Sequence, residues 1–183
     1  MAGFPLWMAV NVSSRQIQME GLDELLVQVL QDTGLEPAAL ELEITESTLI
    51  QSEEIAVRVL ERLKRVGVQI SLDDFGTGFS SLSYLKRFPV DALKIDCSFV
   101  RGVVVDPDDA AIVVAILSMA NALGLGVVAE GVETEQQRDF LIAGGCSEMQ
   151  GYLFSRPVPA HEFLELLKRG SLNPKSKQTE PTQ

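Results

Sequence analysis

The sequence predicts an α/β protein built on a parallel sheet with the outline of a (β/α)8 barrel. Short apolar strands alternate with amphipathic helices six times, the pattern of strands joined by crossover helices. Asn11, Glu43, Asp73, Asp74, Asp96 and Glu130 each fall at or just past the C-terminal end of an expected strand. Polar residues repeated at that edge mark the active face of a barrel, whereas an open doubly wound sheet gathers its ligands at one switch point. A complete barrel has eight strands in about 250 residues. Six expected strands in 183 residues therefore leave roughly two strand-bearing units missing.

The elements follow in order. Residues 7–12 read as a strand. Leu22–Thr33 reads as a helix, with Leu25, Leu26, Val29 and Leu30 on one side. Residues 40–44 alternate Leu40, Leu42 and Ile44 with Glu41 and Glu43, a strand pattern. Ser52 is placed to cap a helix through residue 66, with Ile55, Val59, Leu60 and Leu63 at helical spacing. Residues 68–72 form the next expected strand, ending at the Asp73-Asp74 pair, and a helix is expected over 81–88. A strand over 92–95 follows. Asp106-Pro107 then opens a helix to about residue 123, with proline in the first turn. A strand is expected over 126–129, a helix from Thr134 to 143, an extended segment over 148–154, and a last helix from Pro159 through 167. Residues 1–169 form the domain, and the polar, aperiodic stretch 170–183 reads as a disordered tail.

Composition narrows the function. With 46% apolar residues the chain can bury a real core in one domain. Its net charge of −11 argues against a basic surface for nucleic-acid polymer, but not against a small phosphorylated ligand held through metal ions. Cys97 and Cys146 lack ligand spacing and read as reduced thiols. His161 is the single histidine, which removes histidine-rich zinc sites. No apolar run reaches the ~18 residues of a membrane span, and residues 1–8 lack the charged region of a secretion signal.

The densest chemistry lies at Ser71-Leu72-Asp73-Asp74-Phe75-Gly76-Thr77-Gly78-Phe79-Ser80-Ser81. Two carboxylates at a strand end are costly to bury without a cation. Asn11, Glu43, Asp73 and Asp74 offer only oxygen, the preference of Mg²⁺ and Mn²⁺. Asp73 is placed to bridge two ions, with Asp74 completing the second, an arrangement that activates water against a phosphodiester. Lys94 can hold the nucleophilic water or offset transition-state charge, and Glu130 can ligate the second ion or act as base. Gln150 can position water or ligand, while Gly76 and Gly78 let backbone amides approach closely. Taken singly, an Asp-Asp pair is usually a cap or turn, Gly76-Thr77-Gly78 a plain turn, and Lys94 a solvated or salt-bridged lysine. Glu41 reads as solvated, and Glu46, Ser47 and Glu133 as loop ties. Asp74-Phe75-Gly76 also occurs in protein kinases, but the kinase catalytic and glycine-rich loops are absent.

Six segments in order carry a resemblance. They are Val10-Asn11-Val12-Ser13, Glu41-Leu42-Glu43-Ile44-Thr45-Glu46-Ser47 and Asp73-Asp74-Phe75-Gly76-Thr77-Gly78-Phe79-Ser80-Ser81-Leu82. Then come Leu93-Lys94-Ile95-Asp96, Ala129-Glu130-Gly131-Val132-Glu133-Thr134 and Gln150-Gly151-Tyr152-Leu153-Phe154-Ser155-Arg156-Pro157. Over about residues 7–169 the chain resembles the EAL domain of bacterial cyclic di-GMP phosphodiesterases, whose fold is a TIM-barrel-like (β/α)8 barrel. The resemblance implies hydrolysis of cyclic di-GMP to linear pGpG with Mg²⁺ or Mn²⁺ in a two-metal site inhibited by Ca²⁺. It implies Asn11, Glu43 and Asp73 as ligands of the first metal, and Asp73, Asp74 and Glu130 as serving the second. Lys94 would contact the catalytic water and Gln150 would line the site. Glu46 would anchor the mobile loop from Phe75 to Ser81, which bears Gly76 and Thr77, Glu133 would act behind the ligands, and the Arg156-Pro157 region would lie near a guanine. Phe79 stands where the family often has tyrosine. A homodimer in the cytoplasm is implied, within a larger sensor protein or alone, with no nucleic-acid polymer and no membrane contact.

The Glu-Ala-Leu signature itself belongs ahead of Asn11 and does not occur there. The expectation is therefore a domain incomplete at its N-terminus, with a barrel opened at two edges and weak or no turnover as a monomer. Two other functions compete with the enzyme: a module that binds cyclic di-GMP without cleaving it, and a remnant acting only through protein contacts.

Overall fold

The computed structural model describes residues 6–50, 53–78 and 85–168. Among them are six strands: β1 (Met8–Asn11), β2 (Leu40–Thr45), β3 (Gln69–Phe75), β4 (Ala92–Ile95), β5 (Gly126–Ala129) and β6 (Glu148–Met149). Every neighbouring pair is parallel and the spatial order follows the chain order. The helices are α1 (Ser14–Ile17), α2 (Leu22–Thr33), α3 (Glu46–Ile50), α4 (Glu53–Val66), α5 (Cys97–Gly102), α6 (Pro107–Leu123), α7 (Glu135–Ala143) and α8 (Ala160–Lys168), with a 3₁₀ turn at Pro37–Ala39. The sheet is an open barrel of six parallel strands, as the alternation predicts.

Strand alternation sorts the side chains. Leu40, Leu42 and Ile44 of β2, Ile70 and Leu72 of β3, and Leu93 and Ile95 of β4 join one core with Leu60 and Leu63 of α4 and Val113, Ile116 and Leu117 of α6. Successive strand residues point to opposite faces, so Glu43, Ser71, Asp73 and Lys94 fall on the other, inner face. Burying a core leucine contributes about 1.5–3 kcal/mol, and this layer of aliphatics holds the polar inner face in place. At the N-terminal edge, Lys64 at the end of α4 donates to both carboxylate oxygens of Asp91, at 2.8 and 2.7 Å, and to the Val68 carbonyl at 3.1 Å. Asp91 also accepts the Ile70 N–H at 2.8 Å, tying α4, β3 and the start of β4 together. All four residues of β1 are exposed, and Leu6, Trp7, Met8 and Val10 leave apolar surface at that edge.

Helix ends follow local chemistry. Gly34 and Gly124 close α2 and α6 in the left-handed conformation, and Asp106 caps α6 ahead of Pro107. Thr134 and Gln137 form a capping box on α7.

Several expectations change. The strand read as 68–72 runs instead from Gln69 to Phe75, so the acid pair lies inside it. The extended segment read over 148–154 is a strand only at Glu148–Met149; beyond Gly151 the chain turns back, with the Leu153 N–H on the Val132 carbonyl at 2.9 Å. Of the helix read over 81–88, Leu85 is helical and residues 86–88 turn, while 81–84 lie outside the described residues. The Ser52 cap and the tail over 170–183 also lie outside them. Helices α1, α3 and α5, of four, five and six residues, are additions to the reading.

Candidate functional site

Five of the expected site residues meet directly at the C-terminal edge. Lys94 is the third residue of β4, and its side chain is only 5% exposed. Its Nζ contacts Glu43 Oε1 at 2.6 Å, Glu130 Oε1 at 2.6 Å and Asp73 Oδ1 at 3.3 Å. Gln150, one residue past β6, donates from Nε2 to the same Glu130 oxygen at 2.8 Å. Asn11 ends β1 beside Glu43 in the strand register. Its neighbourhood comes from strand pairing, and its side chain is exposed.

The acid pair needs a distorted strand. In regular β structure, adjacent residues point to opposite faces. The β3–β4 register shifts between Leu72 and Phe75, and Asp74 takes a left-handed φ of 55°. Aspartate tolerates that conformation better than most residues, and such irregularities re-aim side chains. Asp73 stays on the inner face, its Oδ1 accepting the Asp74 N–H at 3.1 Å. Asp74 swings toward Asp96, which follows β4 and caps α5 by accepting the Ser98 N–H at 2.8 Å. Asp96 enters the cluster in a role the sequence reading leaves unassigned. The signal for it was its place two residues after Lys94.

One ammonium is shared among too many carboxylates. Burial disfavours the charged Lys94, but hydrogen bonds to Glu130 and Glu43 and the charges of Glu130 and Asp73 outweigh it and raise its pKa above the ordinary lysine value. Glu130 moves upward too. Burial is the chief cause, Asp73 and Glu43 add repulsion, and Lys94 only partly compensates. For Asp74, partial burial and then the charges of Asp73 and Asp96 push the carboxyl up. The ion pairs therefore satisfy the lysine and leave the acids short of positive charge.

The loop after β3 is held from both sides. Thr77 donates its hydroxyl to the Asp74 carbonyl at 2.8 Å. Gly76, at φ 97°, passes so close to Phe99 that a Cβ would lie 3.0 Å from its ring. Gly78 lies against the buried carboxylate of Glu46, at the start of α3. Glu133 and Arg156 line an adjoining cavity of about 590 Å³ with Arg101, Glu130, Gln150 and Tyr152. The Arg156 guanidinium stacks 4.4 Å from the Tyr152 ring centre. Residue type alone would not have drawn Arg101 or Tyr152 into the reading.

The donor set suits a hard cation: carboxylates and an amide oxygen, with more negative charge than one lysine can balance. Among the described residues no three acid, histidine or cysteine side chains already surround a common metal position. The acids converge on the Lys94 Nζ instead, a cation in the middle of the group.

The EAL domain family model matches residues 1–157. The chain belongs to the EAL domain family. It is 45% identical over 167 residues to the cyclic di-GMP phosphodiesterase PdeR of Escherichia coli (strain K12), covering 91% of this chain and 25% of PdeR. The chain thus spans about a quarter of that relative's length. Among solved structures, the PaMucR phosphodiesterase in complex with c-di-GMP superposes with a TM-score of 0.82 at 48% identity, covering 86% of this chain and 64% of that one. The Klebsiella pneumoniae BlrP1 complex with manganese and cyclic di-GMP gives a TM-score of 0.77 at 35% identity, covering 82% of this chain and 39% of that one. Among the described residues of this EAL domain, no helix is long and apolar enough to cross a membrane.

Proposed function

We propose that this EAL domain is a metal-dependent phosphodiesterase that hydrolyses cyclic di-GMP to linear pGpG. The observation that carries the reading is the Lys94 ammonium ringed by Glu43, Asp73 and Glu130 at the C-terminal edge of the sheet. The name of PdeR and the ligands of the PaMucR and BlrP1 structures support the choice of substrate and of Mg²⁺ or Mn²⁺. Asn11, Glu43 and Asp73 would hold a first ion, and Asp73, Asp74 and Glu130 a second. When bound, the ions lower the pKa of a water and offset charge on the phosphodiester.

The chain's own groups do the rest. Lys94, held among Glu43, Asp73 and Glu130, is placed to hold the attacking water or offset charge on phosphate oxygens. Glu130, its carboxyl raised by burial, is suited to accept the water's proton. Gln150 fixes the Glu130 oxygen that faces Lys94. Arg156 and Tyr152 offer a flat cation and ring to a base in the adjoining cavity. Glu46 and Thr77 would hold the β3 loop, and Glu133 would act behind the metal ligands. A cytoplasmic homodimer belongs to the same proposal, and sedimentation tests the dimer.

The test is hydrolysis of cyclic di-GMP with Mn²⁺ beside an Asp73→Ala control, with pGpG resolved by chromatography. Product that vanishes in the control is the expected result. Absence of product together with calorimetric binding of cyclic di-GMP in Ca²⁺ would make the chain a binding module instead.

A further inference from the structure

Glu130 begins the segment between β5 and α7, which has no regular structure of its own down to Thr134. A side chain unused in the mechanism holds that segment. Gln137, in the first turn of α7, is buried at 6% exposure. Its Oε1 accepts the Thr134 N–H at 3.0 Å and the Glu133 N–H at 2.8 Å, and its backbone N–H donates to Thr134 Oγ1 at 3.2 Å. A capping box accounts for the two bonds with Thr134. It does not account for the bond from Glu133, nor for the Gln137 Nε2 donating to the Arg101 carbonyl at 3.4 Å.

Those two additional bonds join different parts of the site. Arg101 lies in the last turn of α5, and α5 is capped at its other end by Asp96, two residues after Lys94. Gln137 therefore links the strand end that carries Glu130 to the helix that starts at the strand end of Lys94. On its other side the segment is fixed to the β6 end, where the Val132 N–H donates to the Gln150 carbonyl at 3.0 Å. Buried amides in such networks are costly to leave unpaired.

We propose that Gln137 is a positioning residue: by bonding Glu133, Thr134 and Arg101 at once, it sets where Glu130 meets Lys94 and Gln150. The proposal rests on Glu130 being part of the metal site. Its substrate-independent content is that the 130–134 segment and α5 move as one body through this amide.

Wild type, Gln137→Ala and Gln137→Glu are compared by hydrogen exchange over residues 97–102 and 130–134, and by Mn²⁺ calorimetry. In Gln137→Ala, exchange rises in both segments, and Mn²⁺ affinity falls about tenfold to a hundredfold, as for other groups that orient metal ligands. Gln137→Glu keeps an acceptor for Glu133 and Thr134 but sets a second acceptor against the Arg101 carbonyl. Exchange then rises over 97–102 alone, and affinity falls less. A Gln137→Ala variant whose exchange rises only within α7, with Mn²⁺ affinity equal to wild type, overturns the proposal and leaves a helix cap. If wild type itself takes up no Mn²⁺, the metal reading fails separately, and exchange at 130–132 still decides: no rise there overturns the positioning role. Should Gln137→Ala not fold, Gln137→Glu matching wild type in both segments overturns it.

Discussion

Lys64 and Lys94 anchor opposite edges of the same sheet, and they are built on different charge balances. At the N-terminal edge Lys64 meets one carboxylate, Asp91, whose oxygens also take the Ile70 N–H. That pair is partly exposed, at 28% and 34%, and its charges match one to one. At the C-terminal edge Lys94 is 5% exposed and meets three carboxylates, with Asp74 and Asp96 close by. A matched pair fastens strands to a helix. An unmatched one keeps spare acceptor oxygens and unmet negative charge, which is what a divalent cation needs. Barrels separate stability and chemistry in this way, one edge each.

The largest effect should come from removing each lysine in turn. Lys94→Met takes the shared ammonium away from buried Glu43 and half-buried Asp73 and Glu130, and metal-free stability should fall by about 3–5 kcal/mol. Urea melts should show Mn²⁺ restoring part of that loss. Lys64→Met, at a wetter pair, should lose about 1–2 kcal/mol, with no response to Mn²⁺. Equal losses, or an equal response to Mn²⁺, would erase the distinction between the two edges.

Gly151→Ala probes the upper edge through the backbone. A Cβ there would overlap the backbone of Val132, prying the Gln150 turn from the segment that carries Glu130. A stability loss of about 3 kcal/mol is expected, with weaker Mn²⁺ uptake by calorimetry. Asp91→Ala, the lower-edge counterpart, should lose about 1–2 kcal/mol and leave Mn²⁺ affinity unchanged.

The pH response is the smallest effect. Glu130 and Asp74 bind their protons more tightly when folded than at their ordinary values of 4.5 and 3.8. Their contribution to stability is full below those values and is lost as pH rises through the raised folded ones. Urea melts of metal-free protein should therefore show these two groups favouring the mildly acidic side over neutrality, and Mn²⁺ should flatten that slope. The contribution of Lys94 has the alkaline window: it is present below the ordinary 10.5 and lost only as pH passes the raised folded value.

Periodicity and punctuation made most of the frame legible. Leu22–Thr33, Ala92–Ile95 and Gly126–Ala129 match their readings, because an apolar stripe, a short apolar run or a Pro at the first turn of the neighbouring helix marked them. Helices α1, α3 and α5 are too short to show a period. The end of β3 escaped because an irregularity at Asp73-Asp74 let the strand continue past two acids, and the turn after Gly151 escaped because it depends on closeness to Val132. Glu43, Asp73 and Glu130 were readable as strand-end residues, Lys94 as their neighbour on the next strand, and Gln150 only as a group able to position water or ligand. That Lys94 lies inside the carboxylates, that Asp96 faces Asp74, and that Gln137 spans to Arg101 all depend on contacts between distant strands and helices.

The most direct test is a Mn²⁺ titration by calorimetry of three proteins: wild type, Asp73→Asn at the upper edge and Asp91→Asn at the lower. Binding in wild type and Asp91→Asn, lost in Asp73→Asn, is the expected result. Equal binding in all three, or in none, would contradict a cation site built on the unmatched carboxylates around Lys94.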